Sequence, residues 1–355
     1  MSALTLKSSG IKVPRSTGTC TRCPLQVTLA ASSTQDWVCK ITLQKKYSLY
    51  SSAGTEPSPY GRWQPDHEVV EIPFTVVHNT ADLEKALRSA QLATLNPGSS
   101  PQQYLTEENI DDMPVQIGFS PNPIRLDITG PELPNLSFFD LPGIINQTEK
   151  PADRWYVTLV KNLVTEYIQQ ESSLILLACS METDIQNNSA AALIAACEGA
   201  NERTVAVLTK PDQIQPGYPW TTVQKILDNQ IFCVGHGYYV TKQPSQEKLN
   251  QNISTEAARA EERAFFDQPR WSIDFASHHA RFGTAQLREA LSEKLTEQIL
   301  IRLVHLFSIS DCLLKTKPAS PRSKQKCSHV STTSRWSSRG SLTHRPMPWG
   351  RFSKL

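Results

Sequence analysis

Leu136-Ser137-Phe138-Phe139-Asp140-Leu141-Pro142-Gly143 is the stretch from which the fold of this chain can be inferred. Neighbouring bulky residues such as Phe138 and Phe139 point to opposite faces of a strand, so both faces must be covered, which is typical of an interior strand of an α/β sheet. Ligands of open α/β sheets bind beyond the carboxyl ends of the strands, where Asp140 stands. Gly143 would let the backbone approach such a ligand. Taken alone, the stretch also fits a strand followed by an ordinary turn.

A second apolar strand ends in a similar way. Segments 174–179 and 204–208 are continuous apolar runs separated by an alanine-rich helical segment, an order that predicts parallel pairing. The second run leads into Thr209-Lys210-Pro211-Asp212. An ionised Asp212 can accept two parallel N–H bonds, as the edge of guanine offers, and the stem of Lys210 can lie along a base. Such a carboxylate would reject adenine, although the motif alone also fits a surface turn.

Length and composition are those of a soluble protein. The 355 residues suggest about two domains or one large one. No apolar run reaches the ~18 residues of a membrane span, and the first residues do not resemble a signal peptide. Eight scattered cysteines are typical of reduced residues in an intracellular protein, and the single C-x-x-C of Cys20 and Cys23 lacks the second pair that zinc requires. The charged run Glu261-Glu262-Arg263 is expected to be solvated surface.

Alternation of apolar and polar residues predicts further strands. Segments 25–29 and 37–43 both alternate and are expected to pair as a hairpin. Segment 124–128 alternates too, and we expect it to form a second hairpin with the strand at 136–140. A helix is predicted over 152–170, where bulky residues recur at four-residue spacing.

The end of the chain differs from the rest in charge. From Lys315 onward there are ten basic residues and no acidic one, so the net charge of +2 leaves 2 − 10 = −8 for the remainder. Residues 307–355, rich in Ser, Arg and Pro, are therefore expected to form a disordered basic tail. Such a tail could bind nucleic acid or acidic lipid, but a solvated tail, or sequence never selected as protein, is the favoured interpretation. No nucleic-acid partner is expected.

Together these motifs resemble the nucleotide-binding domain of the dynamin superfamily of large GTPases, in particular its fungal dynamin-like and Mx-like branch. The resemblance extends over residues 10–304. The matching stretches are 13–25 (switch I), 140–143 (switch II), 209–212 (guanine recognition), 244–246 (the ribose and base loop) and 281–284.

The resemblance implies a P-loop GTPase-type α/β fold, with a doubly wound, mostly parallel sheet flanked by helices. It implies GTP and Mg²⁺ as cofactors. Thr21 would close on the magnesium ion and the γ-phosphate, and Asp140 would hold the ion through a water. Gly143 would offer its amide to the γ-phosphate, so that Thr21 and Gly143 are the expected catalytic residues. Phosphoryl transfer needs this combination of positioning and charge neutralisation.

The guanine side of the implied site comes from two later loops. Thr209, Lys210 and Asp212 would hold the base, and Ser245 and Gln246 would line it. Gln243 stands where the family often has asparagine. The chain thus departs from the family pattern at the start of this second loop.

One family motif is missing from the chain. No G-x-x-x-x-G-K-[ST] loop precedes switch I, and Ser8-Ser9-Gly10 lacks the lysine and the preceding strand that a substitute would need. We expect an amino-terminally truncated domain without its first strand, P-loop and first helix. This would leave the strand at 136–140 short of a neighbour, make the chain poorly soluble and weaken GTP binding.

The expected domain organisation follows from the resemblance. Residues 1–304 would be a partial dynamin-type GTPase domain, with surface insertions at 51–75 and 96–116. Residues 285–306 would be a helix leading toward a bundle-signalling element. Because the resemblance stops abruptly at both ends, a truncated or misassembled gene model is the leading explanation, and a shortened pseudo-GTPase is the second.

Two functions remain open at this point. The family implies GTP hydrolysis coupled to membrane remodelling, impaired in this chain. The alternative is a nucleotide-free interaction module. Expected partners are a second GTPase domain, full-length family members, membranes and microtubules, and the expected location is cytoplasmic, at the periphery of membranes or mitochondria.

Overall fold

The computed structural model describes residues 21–315 except 33–35, 51–57, 107–112, 132, 216, 246, 249–250 and 252. Residues 1–302 form one compact unit and residues 303–355 form a second, of which the described part is the end of a helix. Among the described residues, no helix combines the length and the apolarity needed to cross a membrane.

Five strands form the first sheet, in the order β3-β2-β4-β1-β5. The strand β1 runs parallel to β4 and antiparallel to β5, while β2 is antiparallel to both β3 and β4. The strands are β1 (Leu25–Ala31), β2 (Val38–Leu49), β3 (Trp63–Val77), β4 (Ile124–Gly130) and β5 (Leu136–Asp140).

Both predicted hairpins are wrong, although all four strands exist. The strand β1 pairs with β4 and β5 instead of β2, and β4 pairs with β1 and β2 instead of β5. Alternation identifies a strand but not its neighbour, and side chains across strands decide the order. Here Arg125 of β4 binds Glu71 of β3 at 3.2 Å and Asp127 of its own strand at 3.0 Å, which helps hold β4 beside the β2-β3 pair.

Residues 51–75, predicted as a surface insertion, contain most of the edge strand β3. Trp63 is fully buried, and its indole N–H donates to the carbonyl of Phe119 at 3.3 Å. Pro65 and Pro73 are tolerated because an edge strand has an unpaired side. The exposed side chains of the middle of β3 are consistent with a surface position, but the segment belongs to the sheet.

The second sheet is the predicted parallel one. It has the order β6-β7-β8, from Ile175–Ser180, Thr204–Thr209 and Tyr238–Thr241, and all its pairs are parallel. A short helix, Ser189–Ala196, connects β6 to β7 as the strand–helix–strand pattern predicts. The α/β class is thus confirmed, with the strands divided between two sheets. Among the described strands, β5 pairs only with β1, so it lies at a sheet edge. This agrees with the expected missing neighbour, and it corrects the interior position that Phe138 and Phe139 suggested.

Helices surround the two sheets. In chain order they are α1 (Leu83–Leu95), α2 (Gln103–Thr106), α3 (Trp155–Ile168), α4 (Ser189–Ala196), α5 (Trp220–Leu227), α6 (Thr255–Phe266) and α7 (Thr284–Lys315). The predicted helix at 152–170 is confirmed as α3, whose Leu159 and Leu163 are buried in a core shared with Trp63 of β3 and Leu208 of β7.

The last helix is longer than predicted. Helix α7 continues to Lys315, so the expected boundary between helix and tail at residue 307 falls inside it. The reason lies in the sequence: Leu306, Ile309 and Leu313 continue the apolar spacing of three to four residues. Residues 316–355, the rest of the predicted tail, lie outside the described residues.

Candidate functional site

The predicted magnesium-side residues meet at the end of β5. Asp140 is the last residue of this strand and is 6% exposed. The hydroxyl of Thr21 donates to its Oδ2 at 3.0 Å, across 119 positions of sequence. Carboxylate and hydroxyl oxygens are the hard donors that Mg²⁺ prefers, and Mg²⁺ is usually bound by one or two carboxylates together with phosphates and waters. The pair therefore fits the ion that the sequence predicts.

The turn after Asp140 leaves room for a ligand. Pro142 is buried and fixes the turn, whereas Gly143 is exposed. A Cβ atom added at Gly143 would meet no heavy atom within 4 Å, so the space beside its backbone is open. The structure thus allows the approach of a phosphate to this amide.

Cys23 is a buried neighbour of this site. The thiol is 2% exposed, and burial, followed by the charge of Asp140, raises its pKa to about 12. Its predicted C-x-x-C partner, Cys20, lies outside the described residues. Within the part of the chain that the structure describes, no group of three or more His, Cys, Asp or Glu side chains could hold a metal ion. Cys23 therefore packs as a neutral core residue.

Alkaline pH is expected to destabilise the fold through three buried thiols. Burial raises the pKa of Cys23, Cys39 and Cys179 from 9.0 to about 12, with Asp140 and Asp127 adding to the effect at the first two. Above pH 9 the unfolded chain loses these protons while the folded chain keeps them, so stability is complete below pH 9 and falls toward pH 12. The expected slope is about 1.4 kcal/mol per pH unit for each thiol.

Urea unfolding across this pH range measures the slope. The Cys23→Ala variant should lose stability less steeply than the parent, whereas Cys233→Ala, at an exposed position, should keep the parent's slope. Equal slopes in all three proteins would contradict the assignment of the effect to the buried thiol.

The predicted guanine-recognition motif follows β7. Lys210 has a left-handed backbone, with φ of 55°, which is uncommon for a residue with a side chain and ends the strand sharply. Its Nζ lies 2.7 Å from Oε2 of Glu182, which follows β6. Thr209 donates its hydroxyl to the carbonyl of Cys179 at 3.3 Å. Glu182 was not identified from the sequence, and it positions the lysine side chain.

Asp212 is available to a ligand. The residue is exposed and lies in the short helical turn Pro211–Gln213. Within the described chain, no donor lies at hydrogen-bond distance from its carboxylate. A carboxylate that has no protein partner can accept both N–H groups of a guanine edge, as the sequence predicts.

The loop that carries Ser245 leaves the same end of the sheet. Thr209 and Thr241 are register partners in the parallel pair β7-β8, so the turns that follow them are neighbours. Ser245 is exposed, while Gln246 lies outside the described residues. The structure thus brings Thr209, Lys210, Asp212 and Ser245 to one end of the second sheet. The first sheet carries the magnesium side, with Thr21, Asp140 and Gly143.

Glu262 was wrongly predicted to be solvated surface. It is 5% exposed, and its Oε1 accepts from the amide of Lys242 and from the hydroxyl of Thr284, both at 2.9 Å. Its Oε2 accepts from the amide of Thr284 at 3.0 Å. The signal was present in the sequence: Phe266 follows four positions later, so the two residues share one face of α6. Glu262 joins the segment before Ser245 to the start of α7.

Two protein-family models match this chain. The model described as "Dynamin family" matches residues 9–211, and the model described as "Dynamin central region" matches residues 222–317. The first match includes Thr21, Asp140, Gly143 and Lys210, and the second includes Ser245.

Similar proteins include interferon-induced GTP-binding proteins of the Mx type. The interferon-induced GTP-binding protein Mx of Dicentrarchus labrax is 26% identical over 298 residues, which are 84% of this chain and 37% of that protein. Mx1 of Oncorhynchus mykiss is 27% identical over 300 residues, 84% of this chain and 39% of the relative. Mx1 of Ictalurus punctatus is 28% identical over 305 residues, which are 85% of this chain and 40% of that protein. The chain thus spans well under half the length of these relatives.

Proposed function

The chain belongs to the dynamin family, and from this premise we propose that its described residues form the guanine and magnesium sides of a dynamin-like GTPase site. The hydrogen bond of 3.0 Å between Thr21 and Asp140 is the observation that carries the proposal. It joins the two residues that the family resemblance assigns to one magnesium ion. The similarity to GTP-binding proteins of the Mx type supports the choice of nucleotide.

Each side of the proposed site has its own task. Asp212 would accept the two N–H groups of guanine, and the stem of Lys210, held by Glu182, would lie along the base. Asp140 and Thr21 would hold Mg²⁺, and Gly143 would present its amide to the γ-phosphate. The ion, when bound, would neutralise charge on the phosphate oxygens.

We further propose that this 355-residue chain binds GTP weakly. No G-x-x-x-x-G-K-[ST] motif occurs in its sequence. That motif supplies a lysine and a nest of backbone amides to the phosphates. Without them, the described part of the site would offer the phosphates the Mg²⁺ held by Thr21 and Asp140 and the amide of Gly143. The same observation favours a second function, a nucleotide-free interaction module that pairs with related chains.

Titration with a fluorescent GTP analogue tests both proposals. We expect the parent chain to bind the GTP analogue far more weakly than micromolar in the presence of Mg²⁺ and to show no preference for the adenine analogue. The Asp212→Ala variant should bind the GTP analogue more weakly still. Glu198→Gln is the matched control, because Glu198 is an exposed carboxylate in the turn before β7, at the opposite end of that strand from Asp212. Micromolar affinity in the parent chain would overturn weak binding, and equal affinity of the parent and Asp212→Ala would overturn guanine recognition by this residue.

The remaining proposals concern assembly. We propose that the chain associates with a second GTPase domain and with longer members of the family, and that it acts in the cytoplasm at the surface of membranes. The match of residues 222–317 to the dynamin central region supports self-association. Hydrolysis coupled to membrane remodelling and binding to microtubules are functions proposed for the whole protein.

A further inference from the structure

A cavity lies at the end of the second sheet that the proposed nucleotide site does not use. Its volume is about 580 Å³. It is bordered by the residues just before and within the start of β8, among them His236, Gly237 and Tyr239. The guanine-side residues follow the opposite ends of β7 and β8, because both strands run in parallel. The cavity is therefore separate from the nucleotide site.

Basic side chains from separate parts of the chain meet in this cavity. Arg281 comes from the segment before α7, Lys294 from α7 itself, and His236 from the turn that precedes β8. The pKa of His236 is lowered, first by its burial and then by the positive charge of Lys294. The cavity lining thus includes the positively charged side chains of Arg281 and Lys294.

The one acidic residue that lines the cavity already has partners. Oδ1 of Asp228 lies 2.8 Å from Nε2 of His278 and accepts from Nε2 of Gln224 at 3.0 Å. Arg281 has no carboxylate within ion-pair distance in the described chain. Among the described residues, Lys294 pairs only with Glu297, at 2.9 Å on the exposed surface of α7. An entering anion would therefore meet one unpaired guanidinium and one weakly paired ammonium.

The guanidinium of Arg281 is held in place. It lies over the ring of Tyr239, 5.8 Å from the ring centroid. It also packs against the backbone of Gly237, where a Cβ atom would collide with Nη1. Gly237 has φ of 72°, so both the space and the backbone conformation suit glycine here. A guanidinium fixed in this way can offer two parallel N–H bonds to a phosphate without losing much side-chain freedom.

We propose that this cavity binds a small phosphate-bearing anion, with Arg281 as the two-pronged donor and Lys294 as the second positive charge. The N–H of the neutral imidazole of His236 provides a further donor, and the ring of Tyr239 forms an apolar wall. The volume exceeds that of one phosphate, so the ligand is a diphosphate or a phosphate ester with a compact organic group. Such a group occurs both in soluble metabolites and in lipid headgroups.

Calorimetric titration of the whole chain with pyrophosphate tests the proposal. Arg281→Ala and Lys294→Ala should each weaken binding about tenfold, as expected for the loss of a charge-assisted bond. Glu297→Gln should strengthen binding because Lys294 loses its competing partner. Arg288→Ala, at an exposed position of α7 outside the cavity, is the control and should bind like the parent.

The possible outcomes separate the alternatives. Loss of affinity in Arg281→Ala and Lys294→Ala with unchanged unfolding midpoints supports the site. Equal affinity in the parent and these variants, or weakening only in Asp140→Asn, would overturn it, because the pyrophosphate would then bind elsewhere. Sedimentation with phosphatidylcholine vesicles that contain phosphatidylinositol phosphate identifies the source of the phosphate ligand. Co-sedimentation that requires Arg281 indicates a lipid headgroup. Binding of pyrophosphate without co-sedimentation indicates a soluble phosphate ester.

Discussion

Replacing Trp271 by alanine is expected to lower the free energy of unfolding by about 3–5 kcal/mol, the usual cost of removing a large buried aromatic side chain. Trp271 is 2% exposed and lies at the centre of an aromatic cluster beside the second sheet. Five rings surround it, with centroids 5.3–5.8 Å away: Trp220, Phe265, Phe266, Phe275 and Phe282.

The cost is large because this cluster connects several elements. Phe266 ends α6, Trp220 begins α5, and Phe282 forms a bridge with Val240 of β8. A cavity at Trp271 cannot be closed by moving one helix, since its neighbours are fixed by several different elements. The surrounding structure would relax only in part, and the lost contacts would not be recovered.

Urea unfolding followed by circular dichroism measures this effect. Ile273→Ala provides a matched control, because Ile273 lies two positions away in the same helical turn and is 69% exposed. The control should unfold at nearly the same urea concentration as the parent. If Trp271→Ala and Ile273→Ala had equal midpoints, the aromatic cluster would not be a major source of stability.

The sequence predicts local structure well because local structure depends on local periodicity. Continuous apolar runs identified β6 and β7, and the helix between them made parallel pairing the expected arrangement. The same reasoning failed for β1 and β4, whose alternating patterns fit any position in a sheet with one polar face. Their order depends on contacts such as that of Arg125 with Glu71, which come from distant parts of the chain.

The candidate site likewise contains residues that local patterns predict and residues whose roles depend on distant parts of the chain. Asp140 and Asp212 could be predicted because each ends a recognisable strand in a motif typical of one family. Thr21 could be predicted only through that family resemblance, because nothing local relates it to a residue 119 positions away. Glu262 was missed because a carboxylate in a charged run is usually solvated, and its burial depends on which backbone donors the fold brings to it. Glu182, which is exposed, was missed because its ion pair with Lys210 joins segments that follow two different strands.

Glu262 is the residue whose loss is expected to affect both the base loop and α7. Three donors converge on its carboxylate: the amides of Lys242 and Thr284 and the hydroxyl of Thr284. Lys242 directly follows β8, close to Ser245, and Thr284 is the first residue of α7. One buried side chain thus fixes the start of the proposed base loop and the start of the last helix.

Glu262→Ala is therefore expected to cost about 3 kcal/mol or more, since each buried donor left without an acceptor costs about 1–3 kcal/mol. Glu262→Gln should cost less but remain clearly destabilising, because its amide nitrogen would face at least one of these donors. Glu261→Gln is the matched control: the adjacent Glu261 pairs with Lys248 at the surface, at 2.7 Å, and its replacement should change little.

Hydrogen exchange distinguishes a local anchor from general destabilisation. In Glu262→Gln the amides of Lys242 and Thr284 should exchange faster than in the parent, while the amides in the centre of β7 should keep their protection, because their strand partners are unchanged. Uniform acceleration across the second sheet would show that Glu262 supports only global stability. Unchanged exchange at both amides would show that the base loop and α7 are not joined through this side chain.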